Sequence, residues 1–151
     1  IHNLSPFKMF LLKGSLLKFR DYGFAVSRLA LGIIMMFHGI MKFVAGAKAL
    51  TFVGSALGVF GVPPELFYAC GVIAAIIETV CGFLTGIGLF TRVNALLLIG
   101  TMAVAVTLTF KGGFNSWSHS FSLMVFYIGL LISGPGTCSL DYKYWGKKEA
   151  Q

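Results

Sequence analysis

The chain has 151 residues, of which 57% are hydrophobic and only 11% are charged. Soluble domains carry about 25% charged residues, so this composition indicates an integral membrane protein. The formal net charge is +7, but the basic residues form neither a stripe nor a nucleic-acid-binding motif, which excludes nucleic acid as an expected partner. A membrane span needs about 20 apolar residues, so the chain has room for four spans in one domain.

Residues 1-22 form a basic segment that is predicted to lie at the membrane interface. Ser5 and Pro6 are a helix-start signal, a capping side chain followed by proline at the first helical position. The lysines that follow spread around the predicted helix, so its amphipathic character is weak. An interfacial helix and a basic tail beside anionic headgroups both fit this pattern.

The first predicted span, residues 24-44, contains the ionisable side chains of Arg28, His38 and Lys42. A charge at the bilayer centre costs roughly 2.5–3.5 kcal/mol, so such residues usually face the bundle interior and mark a site or a buried pair. At about 100° per residue, Arg28 and Lys42 share a face with several small residues, and His38 lies at its margin. We therefore expect this face to contact protein and the opposite, oily face to contact lipid.

The segment after the first span is interrupted by Lys48, by glycines and by the Pro63-Pro64 pair. It is too short and broken to cross a membrane, so we predict an interfacial or re-entrant helix that ends before the prolines. The second span follows at about residues 67-90 and has Glu78 near its middle. A very short turn leads into the third span, so the second and third spans are expected to be antiparallel neighbours.

The third and fourth spans are predicted at about residues 93-110 and 120-133. The connecting sequence KGGFNSWSH is rich in turn formers and is interpreted as a loop with an interfacial tryptophan. Pro135 stands between two glycines and ends the last helix. The membrane domain thus covers residues 23-141, and residues 142-151 form a cytoplasmic tail.

Positive charge predicts the orientation of this four-helix bundle. If both termini are cytoplasmic, eight Lys and Arg residues lie inside, against Lys48 and Lys111 outside. This excess satisfies the positive-inside rule and predicts that both termini are cytoplasmic. The inside residues are Lys8, Lys13, Lys18, Arg20, Arg92, Lys143, Lys147 and Lys148.

The ionisable residues of the spans are the candidate site. Counted from the span midpoints at 1.5 Å per residue, Glu78 is near the membrane centre, His38 roughly 6 Å outward and Arg28 roughly 9 Å inward. A buried carboxyl group needs a partner or a proton; for Glu78 the partners in reach are His38, Lys42 and Arg28. Asp141 is an alternative partner for Arg28, which would make those two residues a structural ion pair.

Two interpretations of this cluster remain open. In the functional one, His38, Lys42 and Glu78 form a small pocket that binds a polar head such as a quinone carbonyl, or relays a proton. In the structural one, the same residues pair with one another and fix the helix register. Lys42 lies near the outer interface, where snorkelling also explains it.

Cysteine and histidine usage excludes several redox sites. Cys70, Cys81 and Cys138 are scattered without a C-x-x-C motif, so we expect neither a disulfide framework nor a metal site and interpret them as packing residues. His38 is the one histidine predicted within a span, with His119 in a loop, which argues against bis-histidine haem.

The arrangement of these motifs resembles the DoxX family of small four-helix bacterial membrane proteins. The resemblance runs from about Arg28 to Asp141 and rests on RLALGIIMMFHGIMKF, ETVCGFLTGIGLFTR and GPGTCSLD. It implies a bacterial inner-membrane protein related to the DoxD subunit of thiosulfate:quinone oxidoreductase. The residues that match the family pattern are Arg28, His38, Gly39, Lys42, Glu78, Gly134, Pro135, Gly136, Ser139 and Asp141.

The layout is more distantly similar to disulfide-generating quinone reductases such as DsbB, whose paired redox cysteines this chain lacks. Three functions can be compared for such a chain. The first is a quinone-interacting subunit of a membrane oxidoreductase, with the head group near His38 and Glu78 and electrons supplied by a partner. The second is a structural accessory subunit of a larger membrane complex. The third, a carrier or proton pathway, is disfavoured because four short spans show no inverted repeat.

The sequence contains no metal motif, nucleophile constellation or phosphate loop, so a self-contained enzyme is not recognisable. We expect a redox-associated subunit that contacts membrane lipid and other membrane subunits. No covalently bound cofactor is expected, and quinone is the candidate ligand.

Overall fold

The computed structural model describes residues 17–146. The predicted interfacial helix at the N-terminus and the end of the tail, residues 1–16 and 147–151, lie outside the described residues. The described part is helical without a strand, and four of its helices are long and apolar enough to cross a membrane, so the predicted four-helix membrane fold is confirmed. The α-helices are α1 Leu17–Val44, α2 Ala47–Ser55, α3 Phe67–Ile87, α4 Thr91–Thr109 and α5 Phe114–Ser133.

A short helix after the first span is also present, as the broken apolar segment predicted. Gly46 turns the chain from α1 into α2 with φ +84°, a left-handed conformation that favours glycine. A 3₁₀ helix, Ala56–Phe60, extends α2, and another, Pro64–Leu66, leads into α3.

Glycines bring α1 and α3 into backbone contact, and this is the most extensive helix pair of the bundle. A Cβ atom on Gly32 would lie 2.6 Å from the backbone nitrogen of Gly86, and one on Gly82 would lie 2.6 Å from that of Met36. Only glycine fits at such distances. Small residues let helix backbones approach closely in lipid, where burial of apolar surface does not drive association.

The buried core fills the half of the bundle near the α3–α4 turn. It combines the middle of α1 and α3, the first half of α4 and the second half of α5. Tyr127 is fully buried there, and its hydroxyl donates to the carbonyl oxygen of Leu31 at 3.4 Å. The core cluster comprises Met35, Cys81, Ala95, Leu98, Met102, Leu123, Tyr127 and Leu130.

The outer faces of the long helices carry large exposed apolar side chains, as expected for helices in contact with lipid. Val26 on α1 and Ile132 on α5 are 67% and 76% exposed. In water such a surface would be an aggregation liability. The exposed apolar surface and the four long helices are those of a multi-pass membrane protein.

The segment after α5 folds back and is fixed by Arg28 and Asp141, which do not form the predicted direct ion pair. The buried Arg28 guanidinium donates instead to the carbonyl oxygens of Pro135 and Cys138, the latter at 2.8 Å. The Asp141 carboxylate accepts from the N–H groups of Phe90 and Thr91 at 2.7 and 2.8 Å. Asp141 therefore caps the start of α4, where unpaired N–H groups favour a carboxylate.

Helix α5 begins at Phe114, whereas the sequence predicted a loop up to residue 119. Gly113, at φ +84°, precedes the helix. Trp117 lies between three phenylalanines, with ring centroids at 5.3 Å from Phe114, 5.6 Å from Phe121 and 6.0 Å from Phe110. These ring contacts join the turn before α5 to its first two turns, although the three phenylalanines remain exposed. The contacts favour a helical start of α5 despite the turn-forming composition of this segment.

Candidate functional site

The centre of the candidate site is an ion pair between α1 and α3. The Nζ atom of Lys42 lies 2.5 Å from both carboxylate oxygens of Glu78. The Glu78 side chain is 1% exposed and that of Lys42 is 22% exposed. Of the partners that the sequence left open for Glu78, the structure thus brings Lys42 into contact.

Local packing explains why these two side chains meet. Gly39 lies one helical turn before Lys42, and a Cβ atom there would contact the backbone of Thr79 and the carbonyl oxygen of Ala75 at 2.6 Å. This close approach places the last turns of α1 directly against the middle of α3. The Lys42 side chain therefore reaches Glu78. It does not extend to the membrane interface, as the snorkelling explanation predicted.

A second polar contact lies beside the ion pair and joins α1 to α5. The imidazole rings of His38 and His119 are stacked, with centroids 5.3 Å apart and planes inclined by 29°. The prediction that His119 lies in a loop outside the spans is wrong, because α5 begins at Phe114. The aromatic residues Trp117 and Phe121, four positions apart, are the sequence signal for this earlier helix start.

The two polar contacts form one end of a cavity of about 550 Å³. It adjoins the core, with which it shares Met102 and Leu123, and extends from there toward α2. His38, Lys42, Glu78 and His119 all line it. The rest of the wall is mostly apolar and comes from α2, its 3₁₀ extension, α3, α4 and α5, including Val53, Leu57, Ile73, Ile77, Val104, Leu108 and Leu123.

The other sequence-predicted residues lie elsewhere. Arg28 and Asp141 are at the opposite end of the bundle, near the α3–α4 turn, and do not line the cavity. Cys70 lines the cavity, Cys81 belongs to the core, and all three cysteines are free. Within residues 17–146, no group of three or more His, Cys, Asp or Glu side chains is placed to hold a metal ion.

A cavity of this kind suits an amphipathic ligand. Small-molecule sites are concave and mostly apolar, with a few polar groups that orient the ligand, and enclose about 300–1,000 Å³. Here an ammonium group, a carboxylate and two imidazoles converge at one end. A ligand with a polar head and an apolar body would bind with its head at the Lys42–Glu78 pair.

Comparison with known proteins places this architecture in a family. A model of the DoxX family matches residues 23–112, which is more than half of the chain. The chain belongs to the DoxX family. The match covers α1 to α4 and therefore includes His38, Lys42 and Glu78, whereas His119 and Asp141 lie beyond it.

Curated relatives of this DoxX protein are found in several bacteria. An uncharacterized membrane protein of Mycobacterium tuberculosis is 34% identical over 132 residues, covering 76% of each chain. An uncharacterized protein of Haemophilus influenzae is 29% identical over 138 residues, or 86% of this chain and 96% of its own. "Putative oxidoreductase CatD" of Bacillus subtilis is 32% identical over 131 residues, or 85% of this chain and 92% of its own. No solved structure matches the DoxX chain significantly.

Proposed function

We propose that this DoxX protein is a membrane subunit of a quinone-linked oxidoreductase assembly and that it binds the quinone head group in its cavity. The observation that carries the proposal is the polarity of the cavity, whose charged and imidazole groups lie together at the end formed by Lys42, Glu78, His38 and His119. The rest of the lining is mostly apolar, and the hydroxyl groups of Thr101 and Thr109 within it donate to carbonyl oxygens of their own helix. A quinone has the same division, because its ring carries carbonyl groups and its tail is apolar.

The donor groups at the polar end suit a quinone carbonyl. An ammonium group has three N–H donors, so Lys42 can bind a carbonyl oxygen and keep its contacts with Glu78. The imidazole of His38 supplies a further donor on the same wall. Reduction of a quinone to a quinol takes two electrons and two protons; in this proposal a redox cofactor of a partner subunit supplies the electrons and water supplies the protons.

One relative gives the proposal additional support. The name of the Bacillus subtilis relative assigns it to the oxidoreductases, and its 32% identity extends over most of both chains. With the orientation predicted from positive charge, the protein lies in the bacterial inner membrane with both termini in the cytoplasm. The polar end of the cavity is then in the outer half of the bilayer, together with Lys111.

A purely structural accessory subunit is the second candidate, and the ion pair favours it. Lys42 and Glu78 satisfy each other at 2.5 Å without a ligand, as they would if their role were to hold α1 against α3. The exposed apolar faces of the long helices would then bind other subunits. Ligand binding distinguishes the two candidates.

Equilibrium binding of decylubiquinone and of a short-chain menaquinone to the protein in lipid nanodiscs tests the proposal. The wild type is expected to bind at least one of them. Glu78→Gln removes the negative charge from the site, and this loss should weaken quinone binding about tenfold or more. Glu65→Gln is the matched control, because Glu65 is exposed and lies outside the cavity.

A variant that spares the ion pair separates binding from stability. His38→Ala removes a cavity donor but leaves Lys42 and Glu78 in contact, so it should weaken quinone binding without lowering the melting temperature. The proposal is overturned if the wild type binds neither quinone, or if Glu78→Gln and His38→Ala bind as tightly as the wild type.

A further inference from the structure

The cavity has walls that are also part of the outer surface of the bundle. Ile73 of α3 and Leu96 and Leu97 of α4 line the cavity, yet they are 57%, 59% and 42% exposed. A side chain that borders a cavity and is also exposed on the outer face of a membrane helix marks the edge of an opening. These three residues therefore place an opening at the seam between α3 and α4.

Gly100 lies at this seam and has no packing role. It is in the interior of α4, lines the cavity and is exposed, and an added Cβ atom would meet nothing within 4 Å. Gly39 and Gly82, in contrast, bring α1 and α3 into backbone contact. Glycine is disfavoured inside a helix relative to alanine, and no neighbouring helix packs on Gly100, so at this position the glycine leaves space in the wall of the cavity.

The other sides of the cavity differ from this seam, because the exposed residues that border the α1–α5 side, His38 and His119, are polar. On the α1–α5 side, the stacked rings of His38 and His119 bridge the gap. At the far end, α2 packs on α3, and its 3₁₀ extension Ala56–Phe60 reaches α4. The α3–α4 seam is the side whose exposed lining residues are apolar, which makes it the route between the polar end of the cavity and the hydrocarbon of the bilayer.

We infer that Gly100 keeps a lateral portal open and that the ligand of the cavity is a tailed lipid that enters from the membrane. The inference rests on the proposed function and extends it to a substrate class. The ligand is an isoprenoid quinone whose ring lies at the Lys42–Glu78 pair and whose tail passes between Ile73 and Gly100 into the bilayer. A tail-less, water-soluble quinone would gain nothing from this route.

Closing the portal tests the inference. Gly100→Leu places a side chain in the seam, and Gly129→Leu is the matched control, since Gly129 is also an interior helix glycine with nothing within 4 Å but does not line the cavity. In nanodiscs, Gly100→Leu should weaken binding of ubiquinone-4 by about tenfold or more. Binding of tail-less 2,3-dimethoxy-5-methylbenzoquinone should change by less than about twofold, and Gly129→Leu should leave both unchanged. Equal binding of ubiquinone-4 to Gly100→Leu and the wild type overturns the portal.

A second measurement does not depend on quinone binding. A phosphatidylcholine with a photoreactive diazirine at the end of one acyl chain should crosslink to cavity residues such as Ile77 and Thr101 in the wild type. Gly100→Leu should lose these crosslinks, and Gly129→Leu should keep them. Crosslinks without quinone binding would overturn the proposed function and leave the portal supported, whereas quinone binding without crosslinks would overturn the portal alone.

Discussion

Replacement of Lys42 by methionine should destabilise the protein by an amount that follows from the burial of its partner. Methionine keeps most of the lysine volume but removes the charge, which leaves the Glu78 carboxylate, 1% exposed, without its ammonium partner. Removal of one member of a buried pair costs about 3–5 kcal/mol. Because the Lys42 side chain keeps 22% exposure and is partly screened by solvent, we expect the lower limit, about 3 kcal/mol.

Thermal unfolding of the purified protein in nanodiscs measures this cost. For a chain of this length, about 3 kcal/mol lowers the melting temperature by roughly 6–12 °C. Lys48→Met is the matched control, because Lys48 is exposed on α2, and it should change the free energy of unfolding by less than about 0.5 kcal/mol.

The double variant Lys42→Met/Glu78→Met isolates the interaction itself. Replacement of both members of a buried pair by apolar residues of similar volume is often close to neutral, so the double variant should be more stable than Lys42→Met alone. Equal melting temperatures of Lys42→Met and Lys48→Met would refute this prediction. It would also be refuted if the destabilisation of the double variant equalled the sum for Lys42→Met and Glu78→Met, since the two residues would then be uncoupled.

Three further predictions concern the rest of the bundle. Arg28→Met should lower the free energy of unfolding by at least about 2 kcal/mol, since two carbonyl groups lose a charged donor. Arg28→Lys should recover only part of this stability in the same melting assay, because one ammonium group does not reproduce the two-pronged geometry of the guanidinium. Gly82→Ala should lower the melting temperature, because its Cβ atom would lie 2.6 Å from the backbone of α1. Gly129→Ala, which has open space around it, should instead raise the free energy of unfolding by about 0.5–1 kcal/mol. Equal melting temperatures of the two variants would contradict the packing role of Gly82. In a cysteine-free background, a cysteine at Lys111 should react with an impermeant maleimide from outside the cell, and one at Lys143 only after permeabilisation; the reverse pattern would overturn the orientation.

The sequence predicted the four-helix fold well because hydropathy alone specifies which segments can span a membrane. It also selected His38, Lys42 and Glu78, since ionisable groups in apolar segments are recognisable without tertiary information. It left the partner of Glu78 open, because depth along a helix does not give the rotation of one helix against another. The backbone contact at Gly39, which decides that rotation, is a tertiary feature.

Two errors have local causes. Charge and depth predict an Arg28–Asp141 pair, but the carbonyl groups between Pro135 and Cys138 and the N–H groups at the start of α4 bind these two side chains instead. The composition of the residues around His119 predicts a loop. The aromatic cluster around Trp117 outweighs that local preference and extends α5 toward the cavity.

The bond between Arg28 and the segment after α5 also sets an order of events during biosynthesis. The acceptors of Arg28 lie 107 and 110 residues further along the chain, and at about 5–20 residues per second a ribosome needs roughly 5–20 s to reach them. During this interval α1 carries its guanidinium without these acceptors, while its glycine contacts with α3 are already able to form. A nascent chain that stops before Pro135 lacks both acceptors, so the Arg28 guanidinium stays without these partners in its bundle.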